Sequence, residues 1–196
     1  MQKLLATYLE VENTDNVRNA KVPKVLTHQV LPEAAYSLSI DGSIQCVATA
    51  PWETLFDGLA DADVALFRHS WRNCAYEEAN VCIKRGPDDR RLIAQQVRHY
   101  RQMGFPDNLG LVEWSVILRR HTLAVARFDE CWWQEIQAGS RRDQISSNFA
   151  AWAWHLRYAE LPEPWKTTLG LFGTLTPSAD TFLPEIHWNR SPTWET

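Results

Sequence analysis

The chain has 196 residues and a mass of 22.6 kDa, enough for one domain with a substantial core and too little for two ordinary domains. Its net charge of −4 and isoelectric point near 5.9 disfavour a nucleic-acid-binding protein, because such proteins present an excess of Lys and Arg to phosphate. The four cysteines have no zinc-ribbon spacing and no apolar stretch reaches membrane-spanning length, so we expect neither a zinc ribbon nor a transmembrane helix.

The amino-terminal residues and the cysteines indicate the compartment. Residues 1–10 contain too short an apolar run for a secretory signal peptide. The cysteines show neither a redox motif nor a disulfide framework, so we expect free thiols in a cytoplasmic protein. The ten tryptophans are unusual: core packing is their common role, but the indole N–H also suits half-buried positions that line clefts.

The amino-terminal part of the chain predicts short elements separated by turns. Residues 1–16 indicate a strand or an irregular segment. Apolar residues have loosely helical spacing over 17–31, and Pro23 interrupts them, which predicts a short or broken helix. Alternating apolar residues predict a strand over 35–40 that ends at an Asp41-Gly42 turn.

Two further strands and a helix are predicted next. Residues 44–48 predict a strand, and 51–59 predict a short helix with proline in its first turn. Residues 62–67 predict a buried strand that leads into Arg68-His69.

The middle of the chain predicts two successive helices. The first covers 71–84 and is closed by Gly86, and the second opens at Pro87-Asp88-Asp89, where proline and acids suit a helix N-terminus. Gly104 ends the second helix, whose apolar residues recur at i, i+4 and i+7. These residues are Ile93, Val97 and Tyr100.

After a loop over 105–110, the chain predicts two more strands. They cover 111–118 and 122–126 and flank the basic cluster Arg119-Arg120-His121. Beyond Pro162 and Pro164 the chain becomes rich in Pro, Thr and Trp. We therefore expect one domain over 1–165 and a carboxyl-terminal extension over 166–196 that packs on it.

A helix over 129–138 and a second helix after it enclose a polar segment, Gly139-Ser140-Arg141-Arg142-Asp143-Gln144, named here the 139–144 turn. Ser140 with Asp143 three residues later resembles a capping box, in which both side chains satisfy free N–H groups for roughly 1 kcal/mol. Capping leaves Gln144 and the arginines unexplained, because positive charge at a helix N-terminus opposes the macrodipole. The second helix carries an apolar stripe of Ile145, Phe149, Trp152 and Leu156.

The alternation of strands and helices predicts a single α/β domain with a mainly parallel sheet flanked by helices. In such sheets ligands bind outside the carboxyl ends of the strands. We therefore expect Asp41-Gly42 and Arg68-His69 to lie near a binding cleft.

Several stretches, in the same order, resemble the glycosyltransferase-like domain of plant Golgi proteins described as mucilage-related transferases or alkaline ceramidases, a domain also found in many bacterial sugar transferases. The resemblance covers roughly residues 17–155. The matching stretches are RNAKVPKVLTH (18–28), YSLSIDGSI (36–44), FRHSWRNCAYEE (67–78), GFPDNLGLVE (104–113) after Tyr100, ILRRH (117–121), and RDQIS (142–146) after Trp132-Trp133.

The resemblance implies a GT-A-like (Rossmann-like) fold and an enzyme that moves a sugar, as a hexosyltransferase does, from a nucleotide-diphosphate sugar to a hydroxyl of a saccharide or other acceptor. The chain departs from the family at Ser39, where Trp is usual, at Ser43, where Asn is common, and in beginning after the family's first strand region. The alternative is a non-catalytic saccharide- or nucleotide-binding module derived from a truncated transferase fold. A hydrolase is disfavoured, because no GxSxG or Cys/His pattern is present.

The resemblance and the 139–144 turn together suggest the reacting groups. Asp143 would accept the proton of the acceptor hydroxyl or bind that hydroxyl, and Gln144 would hydrogen-bond sugar. Arg142 would hold phosphate. Glu113, at the start of a predicted strand, is a third catalytic candidate.

Further polar residues are candidates for substrate binding. His69 and Arg72 follow a buried strand, and Glu77 lies one to two turns into the next helix, where it could orient His69 or bind a sugar hydroxyl. Arg119 and His121 lie at the end of a predicted strand, where neighbouring side chains face opposite ways, so only one of the paired arginines should face a cleft.

A divalent cation, Mn²⁺ or Mg²⁺, is the cofactor that this class of enzyme implies, because it neutralises the diphosphate leaving group. Asp41, at a strand end, is placed to bind it, and His187 would complete the site. The other interpretation of Asp41-Gly42 is a plain turn.

Overall fold

The computed structural model describes residues 15–46, 55–86, 88–162, 165 and 172–174, which form helices and strands in alternation. The helices are α1 (Asn16–Asn19), α2 (Val22–Val25), α3 (Thr27–Val30), α4 (Ala75–Arg85), α5 (Arg90–Gln102), α6 (Leu123–Ala138) and α7 (Asp143–Ala153), with a 3₁₀ turn at Phe56–Leu59. The strands are β1 (Tyr36–Ile40), β2 (Ile44–Cys46), β3 (Val64–Arg68), β4 (Val112–Arg120), β5 (Tyr158–Glu160) and β6 (Phe172–Thr174).

The boundary between the two central helices lies where the sequence indicates. Gly86 ends α4 in the left-handed conformation at φ 72°, which glycine adopts without steric cost. The Asp89 carboxylate then accepts the backbone N–H groups of Arg91 and Leu92, at 2.7 and 3.3 Å, and so caps α5. The prediction of the first helix was too long at its start, because α4 begins only at Ala75.

The four main strands pair in the order β1-β4-β3-β5, and this sheet with its flanking helices confirms the α/β class. The strand directions do not follow the predicted mainly parallel arrangement: β4 is antiparallel to both β1 and β3, and only β3 and β5 are parallel. The reason lies in α4 and α5. The chain leaves the carboxyl end of β3, passes through these two consecutive helices and returns to the same end of the sheet. β4 therefore starts beside the end of β3 and runs antiparallel to it.

Residues 122–126 form the first turn of α6, so the predicted strand there is wrong. Thr122 caps this helix by accepting the N–H of Val125 at 3.3 Å. The apolar residues that look alternating over five positions belong to a longer helical stripe, which is buried. It consists of Val125, Phe128, Trp132 and Ile136.

Other predicted elements fall partly or wholly outside the described residues. The segment 1–14 and most of the extension 166–196 lie outside them. Within the extension, β6 is described and pairs antiparallel with β2 in a separate two-stranded sheet. The helix predicted over 51–59 is a 3₁₀ turn where it is described, and β5 was not predicted.

The core forms on both faces of the sheet, because alternate residues of β3 point to opposite sides. Val64 and Leu66 pack against α6 and α7 in one cluster. Ala65 and Phe67 pack on the other face in a second cluster that includes Leu59. Within the described part of the chain, no helix is long and apolar enough to cross a bilayer.

Gly139 closes α6 where the Gln96 side chain crosses the helix end. The Gln96 amide donates to the carbonyl of Glu135 at 3.1 Å and accepts the N–H of Ser140 at 2.9 Å. A Cβ on Gly139 would overlap this amide. We expect Gly139→Ala to destabilise the fold by about 2–3 kcal/mol, because the buried backbone groups lose their partner.

Urea unfolding measures this change. Gly42→Ala is the matched control, because a Cβ at Gly42 meets nothing within 4 Å. Equal unfolding midpoints for the two variants would show that Gln96 can move aside without cost.

Candidate active site

A cleft of about 680 Å³ opens where α1, α2, the end of β1, the end of β3 and the start of α7 meet. It brings together six residues that the sequence suggested as functional. They are Asp41, His69, Glu113, Arg142, Asp143 and Gln144. Lys21, Lys24 and Trp114 also line it.

The sheet places three of these residues at one edge. The N–H of Asp41 donates to the carbonyl of Ser115 at 2.8 Å, which holds the end of β1 against β4. The N–H of His69 donates to the carbonyl of Leu111 at 2.8 Å, which holds the end of β3 beside the start of β4. Glu113, near the start of β4, therefore lies between the ends of β1 and β3 and lines the cleft. Ligands of α/β proteins commonly bind at the ends of such strands.

The 139–144 turn is fixed by residues that are distant in sequence. The hydroxyl of Ser140 donates to Asp88 at 2.6 Å, and the N–H of Arg141 donates to the same carboxylate at 2.8 Å. The guanidinium of Arg18 donates to the carbonyl oxygens of Ile136 and Gly139, at 3.0 and 2.9 Å. These bonds close the end of α6 and fix where α7 begins.

The capping-box interpretation of Ser140 and Asp143 is wrong. Arg142 occupies the N-cap position of α7, and no side chain caps that helix end. The Ser140 hydroxyl donates to Asp88 and accepts, at 3.1 Å, the N–H of Arg142, which is the N-cap residue and not a residue of the first helical turn. The carboxylate of Asp143 caps no backbone N–H of this helix and lines the cleft.

Two lysines converge on that carboxylate. Lys21 Nζ and Lys24 Nζ each lie 3.0 Å from Asp143 Oδ2, and Lys24 Nζ also lies 2.9 Å from Asp41 Oδ1. The side chains of Lys21, Lys24 and Asp143 are 17%, 14% and 10% exposed, so these ion pairs are largely shielded from water. The result is a continuous chain of charges along the cleft: Lys21, Asp143, Lys24, Asp41.

The lysines determine the protonation state of Asp143. Burial by itself raises the pKa of this carboxyl, but the ammonium groups of Lys24 and Lys21 outweigh burial and lower the pKa from 3.8 to about 2. Asp143 is therefore an anion throughout the physiological range. A carboxylate with so low a pKa binds donors strongly and accepts a proton weakly.

A buried acid supports the arginine of the cleft. Glu78 is 2% exposed and pairs with Arg72, and its other oxygen lies 3.6 Å from Arg142 Nη2. Arg142 keeps 40% of its side chain exposed at the cleft. Glu78 thus holds Arg142 in place while leaving its outer face open to an anion.

The remaining cleft residues are held by the strand ends. His69 Nδ1 accepts the N–H groups of Trp71 and Arg72, each at 3.1 Å. Glu113 Oε1 accepts the hydroxyl of Ser70 at 3.3 Å. Gln144 Nε2 lies 3.5 Å from the carbonyl of Val112.

Some suggested residues do not line the cleft. Arg72 is paired with Glu78, and its Nη2 lies 3.0 Å from His69 Nε2. Glu77 accepts the N–H of Asn73 at 3.4 Å at the start of α4. Arg119 is fully buried and lies 3.3 Å from Asp129, and His121 Nε2 lies 2.9 Å from Ser37 Oγ. His187 lies outside the described residues.

The sequence prediction gave no role to Lys21 and Lys24, although both fall in the stretch 18–28 that carries the resemblance. The available signal was their spacing, because residues three apart lie on the same side of a helical turn. Their partners at 41 and 143 could not be found from that spacing, since they lie far along the chain.

The described residues do not form a metal site on their own. Among them, no group of three or more His, Cys, Asp or Glu side chains could hold a metal ion. Asp41 is bound to Lys24. Binding of Mn²⁺ or Mg²⁺ with the help of His187 therefore stays a prediction.

Comparison with known proteins gives two matches. A family model described as TOD1/MUCI70, glycosyltransferase-like domain, matches residues 5–172. "Probable hexosyltransferase MUCI70" of Arabidopsis thaliana is 35% identical over 143 residues, which are 68% of this chain and 24% of that protein. The chain thus spans about a quarter of the length of this curated relative. No solved structure matches the chain.

Proposed function

The chain belongs to the TOD1/MUCI70 glycosyltransferase-like family, and from that premise we propose that it moves a hexose from a nucleoside diphosphate sugar to a hydroxyl group in the cleft at the start of α7. The observation that carries the proposal is the convergence of Lys21 and Lys24 on Asp143 inside this cleft. Two ammonium groups that share one carboxylate leave an excess of positive charge in the cleft. This charge favours a ligand that carries phosphate groups.

The donor binds through its diphosphate. Lys21 and Lys24 supply ammonium groups, and Arg142 supplies a guanidinium whose planar fork matches phosphate oxygens. Asp143 and Asp41 hold the lysines in place before the donor arrives, so little side-chain freedom is lost on binding. The same cations stabilise the negative charge that develops on the leaving diphosphate.

The acceptor hydroxyl is bound by Asp143 and loses its proton to Glu113. Asp143 orients the hydroxyl, because its pKa of about 2 makes it a poor final proton acceptor. Transfer forms a bond between the anomeric carbon and the acceptor oxygen and breaks the bond between that carbon and the phosphate oxygen. The nucleoside diphosphate leaves with the electron pair of the broken bond. Gln144 lies in the same cleft and is the hydrogen-bonding group for the sugar.

Nucleotide binding tests the proposal. The full chain is titrated with UDP, GDP, CDP and ADP, each with and without Mn²⁺ or Mg²⁺, and thermal stabilisation and calorimetric Kd are recorded. Stabilisation by one of these nucleotides supports the transferase, and an increase with the cation supports the predicted metal. Saccharide binding without nucleotide binding would favour the non-catalytic module instead.

Lys24→Gln should weaken this nucleotide binding. We expect Kd to rise roughly 10- to 100-fold, because a charge-assisted hydrogen bond contributes about 1.5–3 kcal/mol. Lys84→Gln is the matched control, since Lys84 is an exposed residue near the end of α4. An unchanged Kd in a folded Lys24→Gln variant would contradict the assignment of Lys24 to the diphosphate.

A further inference from the structure

Trp71 is the most exposed of the large apolar side chains in the described part of the chain, at 84%. It lies in the loop that follows β3, and the edge of its ring contacts His69, with ring centroids 6.0 Å apart at 74°. His69 itself lines the cleft. A tryptophan in water at the rim of a cleft exposes apolar surface without gaining packing, and such positions commonly mark a binding surface.

The loop that carries Trp71 is fixed by bonds on both sides. The N–H of Trp71 donates to His69 Nδ1 at 3.1 Å, and the neighbouring Ser70 hydroxyl donates to Glu113 at 3.3 Å. Arg68, before the loop, donates to Asn73, after it, at 3.3 Å. The ring is therefore presented by an organised loop, and little loop ordering has to accompany binding.

A second cavity of about 280 Å³ is lined by the two residues that join the ends of this loop. Arg68 and Asn73 line it, together with Asn108, Tyr158 and Glu160. These side chains supply hydrogen-bond donors and acceptors in one small space. The loop therefore joins the two cavities: His69 lines the cleft, Arg68 and Asn73 line the second cavity, and Trp71 lies between these residues in the chain with its ring against His69.

An exposed aromatic ring and a polar cavity on the same loop match the chemistry of a saccharide. A pyranose ring has an apolar C–H face that stacks on an aromatic ring, and hydroxyls around its edge that need both donors and acceptors. A nucleobase could also stack on Trp71, but its ribose and phosphates would not use a separate cavity with a carboxylate, Glu160, among its lining groups. The surface therefore suits a chain of sugars better than a nucleotide.

We propose that the acceptor is an oligosaccharide, with one sugar stacked on Trp71 and the next reaching the cavity of Arg68, Asn73 and Tyr158, while the terminal hydroxyl enters the cleft. The acceptor role rests on the function proposed above. The saccharide surface itself rests on Trp71 and the second cavity, so it can be tested by binding alone.

Calorimetry on the full chain, without a donor, tests the surface. The probes are gluco-, galacto-, manno- and xylo-oligosaccharides of one to four units, with the uronic acid forms of the three hexose series. We expect at least one series to bind more tightly as its length increases. In Trp71→Ala the Kd of the trisaccharide should rise roughly 10-fold or more, about 1.4 kcal/mol, because one sugar loses the aromatic ring on which it stacks.

Three comparisons make the result specific. Trp71→Tyr, which keeps an aromatic ring, should retain most of the affinity. Trp154→Ala is the matched control, because Trp154 is also exposed, at 46%, and it packs near Arg127 instead of the cleft. Tyr158→Phe should weaken binding of the longer saccharides and leave binding of the monosaccharides unchanged.

The proposal is overturned if the wild-type chain binds none of these saccharides, or if Trp71→Ala binds them as well as the wild type does. It is also overturned if Trp71→Ala loses nucleotide affinity and keeps saccharide affinity, which would make Trp71 a nucleobase platform. If the saccharide result holds and no nucleoside diphosphate binds, the surface stands and the transferase proposal fails.

Discussion

Asp143→Asn should lower kcat/KM for sugar transfer by roughly 100-fold or more, as expected for loss of a positioned catalytic carboxylate. Asn keeps the shape of the side chain and removes its charge. Lys21 Nζ and Lys24 Nζ, which share Asp143 Oδ2 at 3.0 Å each, would then repel each other and move apart. The cleft loses both the group that orients the hydroxyl and the group that positions the diphosphate-binding cations.

The control is Asp61→Asn, which removes the charge of an exposed carboxylate between the 3₁₀ turn and β3. Circular dichroism and unfolding curves confirm that the variants are folded, and transfer is then measured with a nucleoside diphosphate sugar that binds the wild type. A folded Asp143→Asn protein with wild-type turnover would remove Asp143 from the mechanism.

Asp143→Asn should also change how the stability of the fold depends on pH. The pKa of Asp143 is about 2 in the folded protein, below its ordinary 3.8, so the carboxylate stabilises the fold above about pH 4. That contribution, about 2 kcal/mol in total, is lost as the pH falls through 3.8 and then 2. Between pH 4 and 2 the wild type should therefore lose more free energy of unfolding than Asp143→Asn. Parallel stability curves over this range would contradict the low pKa.

Asp129→Asn should cause the largest loss of stability, about 3–5 kcal/mol, because it removes one partner of a buried ion pair and leaves the other charged. Asp129 and Arg119 are both fully buried, with Asp129 Oδ1 lying 3.3 Å from Arg119 Nε. Arg119 also donates to Thr27 and Ser39, each at 3.3 Å. These residues lie shortly after Lys24 and shortly before Asp41, so the pair also supports the charged side of the cleft.

Glu130→Gln is the matched control. Glu130 is next to Asp129 in α6 and is 53% exposed, so its loss should cost less than about 1 kcal/mol. Urea unfolding compares the two variants. A second readout is His28, whose pKa is raised because the Asp129 carboxylate lies 3.5 Å away. The NMR titration of His28 should move toward lower pH in Asp129→Asn. Similar unfolding midpoints for Asp129→Asn and Glu130→Gln would show that Arg119 has another compensating partner.

The sequence determined the features that depend on neighbouring residues. The helix end at Gly86, the opening of the next helix near Asp89 and the start of a helix within the 139–144 turn all depend on groups a few residues apart, and all appear in the structure. Ile93 and Tyr100 in α5 and Ile145 and Phe149 in α7 are buried as the periodicity predicts, while Val97 and Trp152 are half-buried. Leu156, the last residue of the predicted stripe, lies beyond the end of α7. The resemblance identified the family through short stretches in a fixed order.

Sequence patterns misled where local and distant partners compete. Ser140 and Asp143 have the spacing of a capping box, but Asp88 binds Ser140 and the lysines bind Asp143. Residues 122–126 alternate like a strand, and the longer stripe of α6 decides that they are helical. A charged or hydrogen-bonded partner contributes more than a local cap, so the tertiary contact prevails.

The candidate site was therefore only half visible in the sequence. Asp41, His69, Glu113 and the 139–144 turn were found as separate polar positions, and the structure places them around one cleft. Lys24 and Asp143 are 119 positions apart, and no periodicity or capping rule extends over that distance. Ion pairs form between charges that the fold brings within a few ångströms. The sequence by itself determined the family, the presence of α4, α5 and α7 and the candidate acids, and only the tertiary structure decided the strand directions and which cations face those acids.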